Sequence, residues 1–406
     1  MEDFIFFDSA STTRCYEEVA ELLKQYACVD YGNPSSSHVL GQRAAKAIKE
    51  AREYFADIFN VEPRQIIFTS GGTESDNLAI SGVALGAYVS DKDPRQKPRR
   101  LIASAIEHPA VTKCVQSLTS FGFEACFAPV NGEGRVIEQE LAKLLIPETV
   151  LVSIISVNNI MGAVLEVEKL ARLVKEIQPE VVFHTDGVQA FGKIKMPVAP
   201  SSVDLVSISA HKICGPKGVG ALVVLNPKLL DNRNRLFIKP LIYGGEQEGG
   251  LRAGTQSAGL ISGFHVATKK TLSASKDSSE HVRKLNERLK TLLTTGKNGG
   301  RFHWNSPQSA VPQIISLAAP GVPAGPLARL LEELGFIVST GSACQSSTPK
   351  PEATLVAMGL PSDVCSSSIR ISLSMLNSLS EIDKIVSAVE EAYERLSRLQ
   401  KGGSER

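Results

Sequence analysis

Charge of one sign is what this 406-residue chain has least of: 44 lysines and arginines stand against 43 aspartates and glutamates. A nucleic-acid binder needs a clustered basic excess. The local candidate, "DKDPRQKPRR" at 91–100, mixes both signs with two prolines and reads as a solvated loop. Long hydrophobic runs are missing too. The best, "VLVSIISV" at 150–157, has strand length, well short of the roughly 20 residues of a membrane span. The first ten residues, "MEDFIFFDSA", begin acidic and hold an apolar run too short for a secretory signal. Paired cysteines are absent as well. Seven cysteines fall at irregular spacings with no CxxC pair and no Cys/His cluster, so neither a disulfide framework nor a zinc site is expected. Cys15, Cys28, Cys114, Cys126, Cys214 and Cys365 read as packing residues. These absences leave a cytoplasmic chain with reduced thiols, no membrane partner and no nucleic acid. No internal repeat is found.

What is present is an ordinary globular composition, 43% hydrophobic and 21% charged, over a length that suits two domains. Between residues 60 and 225, seven short apolar runs alternate with helical patterns. They are "QIIFTS" (65–70), "RRLIASA" (99–105), "EACFAPV" (124–130), "VLVSIISV" (150–157), "EVVFHTD" (180–186), "VDLVSISA" (203–210) and "GALVVL" (220–225). Most are rich in Val and Ile without strict alternation, as strands buried on both faces are. Helix-period segments at 73–88 and 167–177 lie between them, so the spacing predicts an α/β fold with a mostly parallel sheet. After residue 258 a long polar helix (279–293), strands at 313–319 and 366–374 and a closing helix (380–399) predict a smaller α+β domain. The large domain is expected over 14–258, and the small one over 1–13 and 259–406.

Four features fall where strands end. "TSGGTESDN" (69–77) places two glycines between a strand and a helix, which lets backbone N–H groups approach an anion; a plain turn with Thr73 as helix cap reads equally well. Asp186, at the end of "EVVFHTD", lies where open α/β sheets bind ligands, or it caps a turn. Gln189 follows three residues on. Lys212, in "SISAHKICGPKG" (207–218), sits directly after an apolar strand. Schiff-base lysines occupy such places because burial lowers their pKa, although a surface lysine at a strand end is the plain alternative. Ser209 and His211 flank it, and Ser209 is placed to share a phosphate. His108, in "AIEHPAV", again follows a strand, where a lone histidine is most simply a satisfied structural residue. Together, a phosphate loop, a histidine, an asparagine, an aspartate and a lysine in that order are the parts of a pyridoxal phosphate site. An aspartate 4 Å from the ring nitrogen is worth roughly 4 kcal/mol at an effective dielectric of about 20, about a thousandfold in favour of the protonated ring.

A further stretch, "STGSACQSSTPKP" (339–351), holds Cys344 among glycine, serine, threonine and proline, an unusual place for a residue that normally packs in a core. With it the chain resembles the cysteine desulfurases, the NifS/IscS-like group of fold-type I pyridoxal phosphate enzymes in the class V aminotransferase family. The likeness runs from "DSASTT" (8–13) through "GNPSSSH" (32–38), "TSGGTESDN", "EHPAV", "VNN" (157–159), Asp186 with Gln189, "SAHKICGPKG", "LRAGT" (251–255) and "STGSAC" to "SSSIRISLS" (366–374). The resemblance implies pyridoxal 5'-phosphate as cofactor. Lys212 would bond it, His108 stack on its ring, Asp186 pair with the pyridine nitrogen and Gln189 contact the ring hydroxyl. Gly72, Thr73, Ser209 and His211 would hold the phosphate, with Thr255 reaching it from a second subunit, which implies a homodimer. Asn158, Arg370 and Asn33 would bind the substrate, L-cysteine, with Arg370 clamping its carboxylate. Cys344 would take the sulfur as a persulfide, from a loop that has to move, and hand it to an acceptor protein serving iron–sulfur assembly or tRNA thiolation. Selenocysteine lyase is a close alternative, and a weakly active sulfur-delivery partner a more distant one. The chain departs from the family pattern at Glu246 and Gly249, where glycine and arginine are usual. It departs again in "SVNNIMG", where Ser156, Ile160 and Met161 stand in a segment that usually reads His-Val-Asn-Asn-Glu.

Overall fold

The structure is a computed structural model and describes residues 4–90, 99–234, 236–340 and 352–403. Its main sheet has seven strands, in the spatial order Ile66–Thr69, Gly220–Val224, Leu205–Ser209, Val182–Asp186, Thr149–Ser153, Arg99–Ser104 and Phe123–Ala128. All seven are the strands expected from the apolar runs. Four of the six pairings are parallel, and only Gly220–Val224 runs against its two neighbours. Five of the strands are buried at every residue, which is why their sequences do not alternate. One strand reversed between two others leaves Ile66–Thr69 pointing the same way as the parallel set. Thr69, Ser104, Asp186 and Ser209 therefore all end on one edge of the sheet.

Helices cover both faces. On one, the helix Gly72–Ser90 presents Leu78, Ile80, Val83 and Ala87 to the sheet beside Val111 and Val115. On the other, Phe55 and Phe59 of Val39–Phe59 pack with Phe191 and Phe264 at ring-centroid distances of 4.6–6.3 Å. Phe264 belongs to the helix Ala258–Ser273. The expected boundary after 258 gave that helix to the smaller domain, but Ile261 and Phe264 are buried in the large-sheet core. The change of core falls after it.

A second core lies under an antiparallel three-stranded sheet, ordered Ser368–Ser372, Ile314–Ala318, His303–Trp304. Leu285 and Leu289 of the helix Ser275–Thr294, Leu327 and Leu331 of Ala324–Glu333, and Ile385 and Val389 of Leu379–Gly403 close it. The chain's start joins this part: Ile5–Phe6 pairs in parallel with Phe336–Ile337, and Asp8 bridges to Ser372. These strands of two residues are too short to show a period in the sequence. Residues 8–13 then cross to the main sheet, where Thr13 N–H donates to the His211 carbonyl at 2.9 Å.

The outer strand Ile66–Thr69 exposes unpaired backbone on one side, which open sheets must cover. Here a buried ion pair covers it. Arg52 forks onto both carboxylate oxygens of Glu248 at 2.7 Å and lies 4.8 Å over the Phe68 ring, while Glu248 accepts the Phe68 N–H at 3.0 Å. The Glu248 side chain is 1% exposed. Removing one charge of a buried pair leaves the other uncompensated, so Glu248→Gln should lower unfolding stability by about 3 kcal/mol. Urea unfolding measures it, and a loss under about 1 kcal/mol would show the pair to be no more than a surface contact.

Candidate active site

The edge shared by Thr69, Ser104, Asp186 and Ser209 opens into a cavity of about 440 Å³, lined among others by Gly72, Thr73, His108, Asp186, Gln189, Ser209, His211, Lys212 and Arg370. Nine of the residues expected from the sequence thus meet in one space, drawn from positions up to 298 apart (370 − 72).

One end is built for an anion. Gly71 takes a φ of +154°, and the helix Gly72–Ser90 starts at the next residue. A side chain at 72 would place its Cβ 2.6 Å from Val188 Cγ2, so any residue but glycine would have to displace Val188. The first N–H groups of a helix have no intrahelical acceptor, and they carry the positive end of its dipole. Beside them the Ser209 hydroxyl is buried and has no hydrogen-bond partner among the described residues. Such a group costs about 1–3 kcal/mol unless something binds it. A phosphate supplies the missing acceptor, so the residues present fit a phosphorylated cofactor.

The middle of the cavity carries opposed charges. Asp186 is buried and accepts the Val188 N–H on Oδ1 at 2.9 Å; burial raises its pKa, while His108 and Lys212 pull it down. His108 caps the helix Pro109–Ser117, its Nδ1 accepting from Ala110 N–H at 3.1 Å. That bond assigns the ring proton to Nε2. Burial lowers the His108 pKa, opposed by Asp186, so the imidazole is neutral at neutral pH. Lys212 ends the single turn Ala210–Lys212, and its Nζ donates to the carbonyls of Ala10 and Ser11 at 2.6 and 2.7 Å. Burial first, then the Arg370 charge, lowers its pKa to about 8, against the pull of Asp186 and Asp8. His211 is pushed down to about 4, chiefly by burial. Gln189 donates from Nε2 to the Ala10 carbonyl at 2.8 Å, and Lys193 Nζ donates to its Oε1 at 3.3 Å. The two bonds set the Gln189 amide with Nε2 toward Ala10 and Oε1 toward Lys193.

Arg370 stands at the far end on the strand Ser368–Ser372, 5% exposed, with Nη2 at 2.7 Å from Asp8 Oδ1. Ser339 pairs with it through the backbone and also lines the cavity. Ser339 opens the stretch that carries Cys344, and Cys344 itself lies outside the described residues.

Three expected residues stand elsewhere. Asn158 is fully buried and does not line the cavity: its Nδ2 donates to the Ile106 carbonyl, and its Oδ1 accepts from Ile160 and Met161 N–H at 2.9 and 3.1 Å. The amide fixes its own turn, and Asn159 lines the cavity in its place. Asn33 is exposed and holds Ser35 N–H at 2.9 Å. Thr255 is exposed and away from the cavity of its own chain.

Four more polar residues stand in or beside the cavity. Asp8 and Ser11 belong to "DSASTT", whose run of small polar residues was the available signal. Asp76 and Glu107 sat inside quoted motifs. Both are buried carboxylates beside Asp186, and burial pushes Glu107 up to about 8.

The family model "Aminotransferase class-V" matches residues 5–385. The curated "Cysteine desulfurase IscS" of Methanosarcina thermophila is 35% identical over 97% of this chain and 93% of its own length. Among solved structures, a NifS-like protein superposes with a TM-score of 0.85 at 34% identity, over 97% of this chain and 99% of its own. One described as "SspA in complex with cysteine" superposes with a TM-score of 0.77 at 32% identity, over 92% and 99%.

The lowered Lys212 pKa is open to direct measurement in protein stripped of any cofactor. An amine acylates only when neutral, so modification of Lys212, followed by peptide mass spectrometry, should rise with pH through a midpoint near 8. A midpoint near 10, the ordinary lysine range, would show that burial and Arg370 do not act on it.

Proposed function

The chain belongs to the class-V aminotransferase family and, within it, to the cysteine desulfurases of the NifS/IscS kind, and we propose that its cavity is where L-cysteine gives up its sulfur. The products are L-alanine and a persulfide on Cys344. One observation carries this reading: Ser209, Asp186, His108, Lys212 and Arg370 line the same space.

Pyridoxal 5'-phosphate is the proposed cofactor. Gly72, Thr73, Ser209 and His211 would hold its phosphate, Asp186 its ring nitrogen, Gln189 its ring hydroxyl and His108 its ring face, with Lys212 as its point of attachment. When bound, it withdraws electrons from the substrate's Cα. The protein's residues supply the rest. Arg370 receives the substrate carboxylate. Lys212 takes the proton from Cα and returns one; a pKa of about 8 lets it do both near neutral pH. The Cys344 thiolate forms a bond to the substrate sulfur as the carbon–sulfur bond breaks. The electron pair of that bond stays with the carbon, which takes up a proton and becomes the methyl group of alanine. The sulfur remains on Cys344.

We place the enzyme in a homodimer. Support comes from Thr255, which is exposed and does not line its own cavity, and from exposed Tyr31, Ile242 and Tyr243 nearby in sequence to Asn33 and Thr255. Among the described residues no helix is long and apolar enough to cross a membrane, and the six described cysteines are free thiols. A reducing cytoplasm suits both the nucleophile and the transfer of its sulfur to an acceptor protein.

The test separates cofactor chemistry from sulfur transfer. Wild type, exposed briefly to L-cysteine, should gain about 32 Da, one sulfur, on the peptide containing Cys344. Cys344→Ser should keep the cofactor's absorbance and its response to cysteine yet form no persulfide, because a hydroxyl is barely ionised at neutral pH. Exposed Cys28 serves as control, and Cys28→Ser should turn over like wild type. Persulfide on another cysteine, or wild-type turnover by Cys344→Ser, would remove Cys344 from the mechanism.

A further inference from the structure

Three acceptors hold the Arg370 guanidinium. Nη1 donates to the Asn159 carbonyl at 2.9 Å, and Nη2 donates to Asp8 Oδ1 at 2.7 Å and Ser11 Oγ at 2.6 Å. An α-carboxylate arriving at this guanidinium can only accept hydrogen bonds. The Asp8 carboxylate and the Asn159 carbonyl also only accept, and both repel it. Ser11 is different in kind. A hydroxyl that accepts from Arg370 still has its own proton to give, so of the three it alone can turn donor toward an incoming anion.

Its placement fits that role. Ser11 lines the cavity and is exposed. Its backbone carbonyl accepts from Lys212 Nζ at 2.7 Å, so the residue stands between the two cations of the site. The backbone around it is fixed from both sides. Ala10 N–H donates to Ser372 Oγ at 2.9 Å, and Thr13 N–H to the His211 carbonyl at 2.9 Å. Only the Ser11 χ1 remains to be set when a ligand arrives.

We propose that Ser11 is a substrate-binding residue: its hydroxyl donates to the α-carboxylate of the amino acid that Arg370 clamps, and it sets the preference for α-amino acids over amines without a carboxylate. This rests on the reading of Arg370 as the clamp. In the free site the Ser11 hydroxyl holds Nη2 of Arg370. In the filled site the Nη2 N–H donates to the carboxylate instead, and the Ser11 hydroxyl donates its own hydrogen bond to the second carboxylate oxygen. Asp8 stays in place throughout and keeps the guanidinium aimed.

The probes are L-alanine, which has the carboxylate, and cysteamine, which lacks it. Both are titrated calorimetrically into cofactor-loaded wild type, Ser11→Ala, Ser11→Thr and Arg370→Ala. Ser11→Ala should bind L-alanine about 10-fold more weakly, the usual worth of one hydrogen bond to a charged group, with cysteamine unaffected. The KM for cysteine should rise by a similar factor and kcat change by less than about threefold, the sign of lost ground-state binding. Ser11→Thr keeps the hydroxyl and should restore L-alanine affinity to within about threefold of wild type. The proposal is overturned if Ser11→Ala binds L-alanine normally while Arg370→Ala does not, or if Ser11→Ala weakens cysteamine as much as L-alanine. Normal L-alanine binding by Arg370→Ala would instead remove the clamp, and the role of Ser11 with it.

Discussion

Asp8 and Arg370 stand 362 positions apart in the chain and 2.7 Å apart in space, and the rest of the site depends on that contact. It fastens the first residues of the chain to the last strand of the smaller sheet. Everything between follows from the fastening. Residues 8–13 become a strap across the sheet edge, and their carbonyls at Ala10 and Ser11 become the acceptors for Lys212 and Gln189. The Arg370 side chain is 5% exposed and that of Asp8 15%. A lone guanidinium at such a depth would carry a large desolvation penalty. Paired, it is kept at the cavity wall as a charge that a carboxylate can still approach.

The strap also shapes the electrostatics of the cavity. Two cations, Lys212 and Arg370, face the same cavity, and the Arg370 charge makes that of Lys212 costlier. That is one reason the Lys212 amine is easier to deprotonate than an ordinary lysine. Asp186 works in the opposite sense from the sheet side. Deeper still, Asp76 and Glu107 are buried carboxyls whose pKa values are raised, each by burial first and by the Asp186 charge in addition. Glu107, pushed up to about 8, is largely protonated near neutrality. Asp186 is raised by burial as well, but His108 and Lys212 pull it back down, so of the three acids it is the one placed against the cavity's cations. The buried His184 is held neutral, its pKa pushed down to about 3 by burial, and it hydrogen-bonds Ser153 and Ser207 at 2.8 and 2.9 Å. The charge that remains is concentrated where a ligand meets it.

The large sheet was legible because its strands are buried on both faces and therefore read as unbroken apolar runs. Residues at the end of a strand or within four residues of it, Gly72, His108, Asp186 and Lys212, were legible for the same reason: the end of a strand fixes where the next turn of chain goes. Asp8 and Ser11 were not. Their place depends on a strand of two residues pairing with Phe336–Ile337, and no local pattern encodes a contact between the two ends of the chain. Asn158 misled in the opposite way. An asparagine in a turn beside the sheet edge has two uses, binding a ligand or closing its own loop, and the backbone N–H groups of Ile160 and Met161 decide for the second. The helix Ala258–Ser273 was misplaced because an apolar face does not state which core it joins. Phe264 joins Phe55 at 4.6 Å, and that packing puts it on the large sheet.

The departures from the family pattern are accommodated in the same physical terms. Ser156 bonds Thr185 Oγ1 at 2.7 Å, and both are buried; Ile160 and Met161 are buried in the large core. None of the three lines the cavity. They lie behind the wall and add no group to the cavity's lining. Gly249 lies in a different setting. It takes a φ of +64°, next to Glu248 at +52°. A left-handed backbone costs glycine nothing and a side-chain-bearing residue about 1 kcal/mol or more. Gly250 follows at +80°, so three left-handed residues stand in succession. Glycine fills two of these positions without strain, and the third, Glu248, is held by the fork from Arg52 and by the hydrogen bond that it accepts from Gln256. The loop that leads to Thr255 is thereby anchored to the strand that begins the anion cradle. A substitution in this loop acts on the site through that anchor, at a distance, and not through any group that touches the substrate.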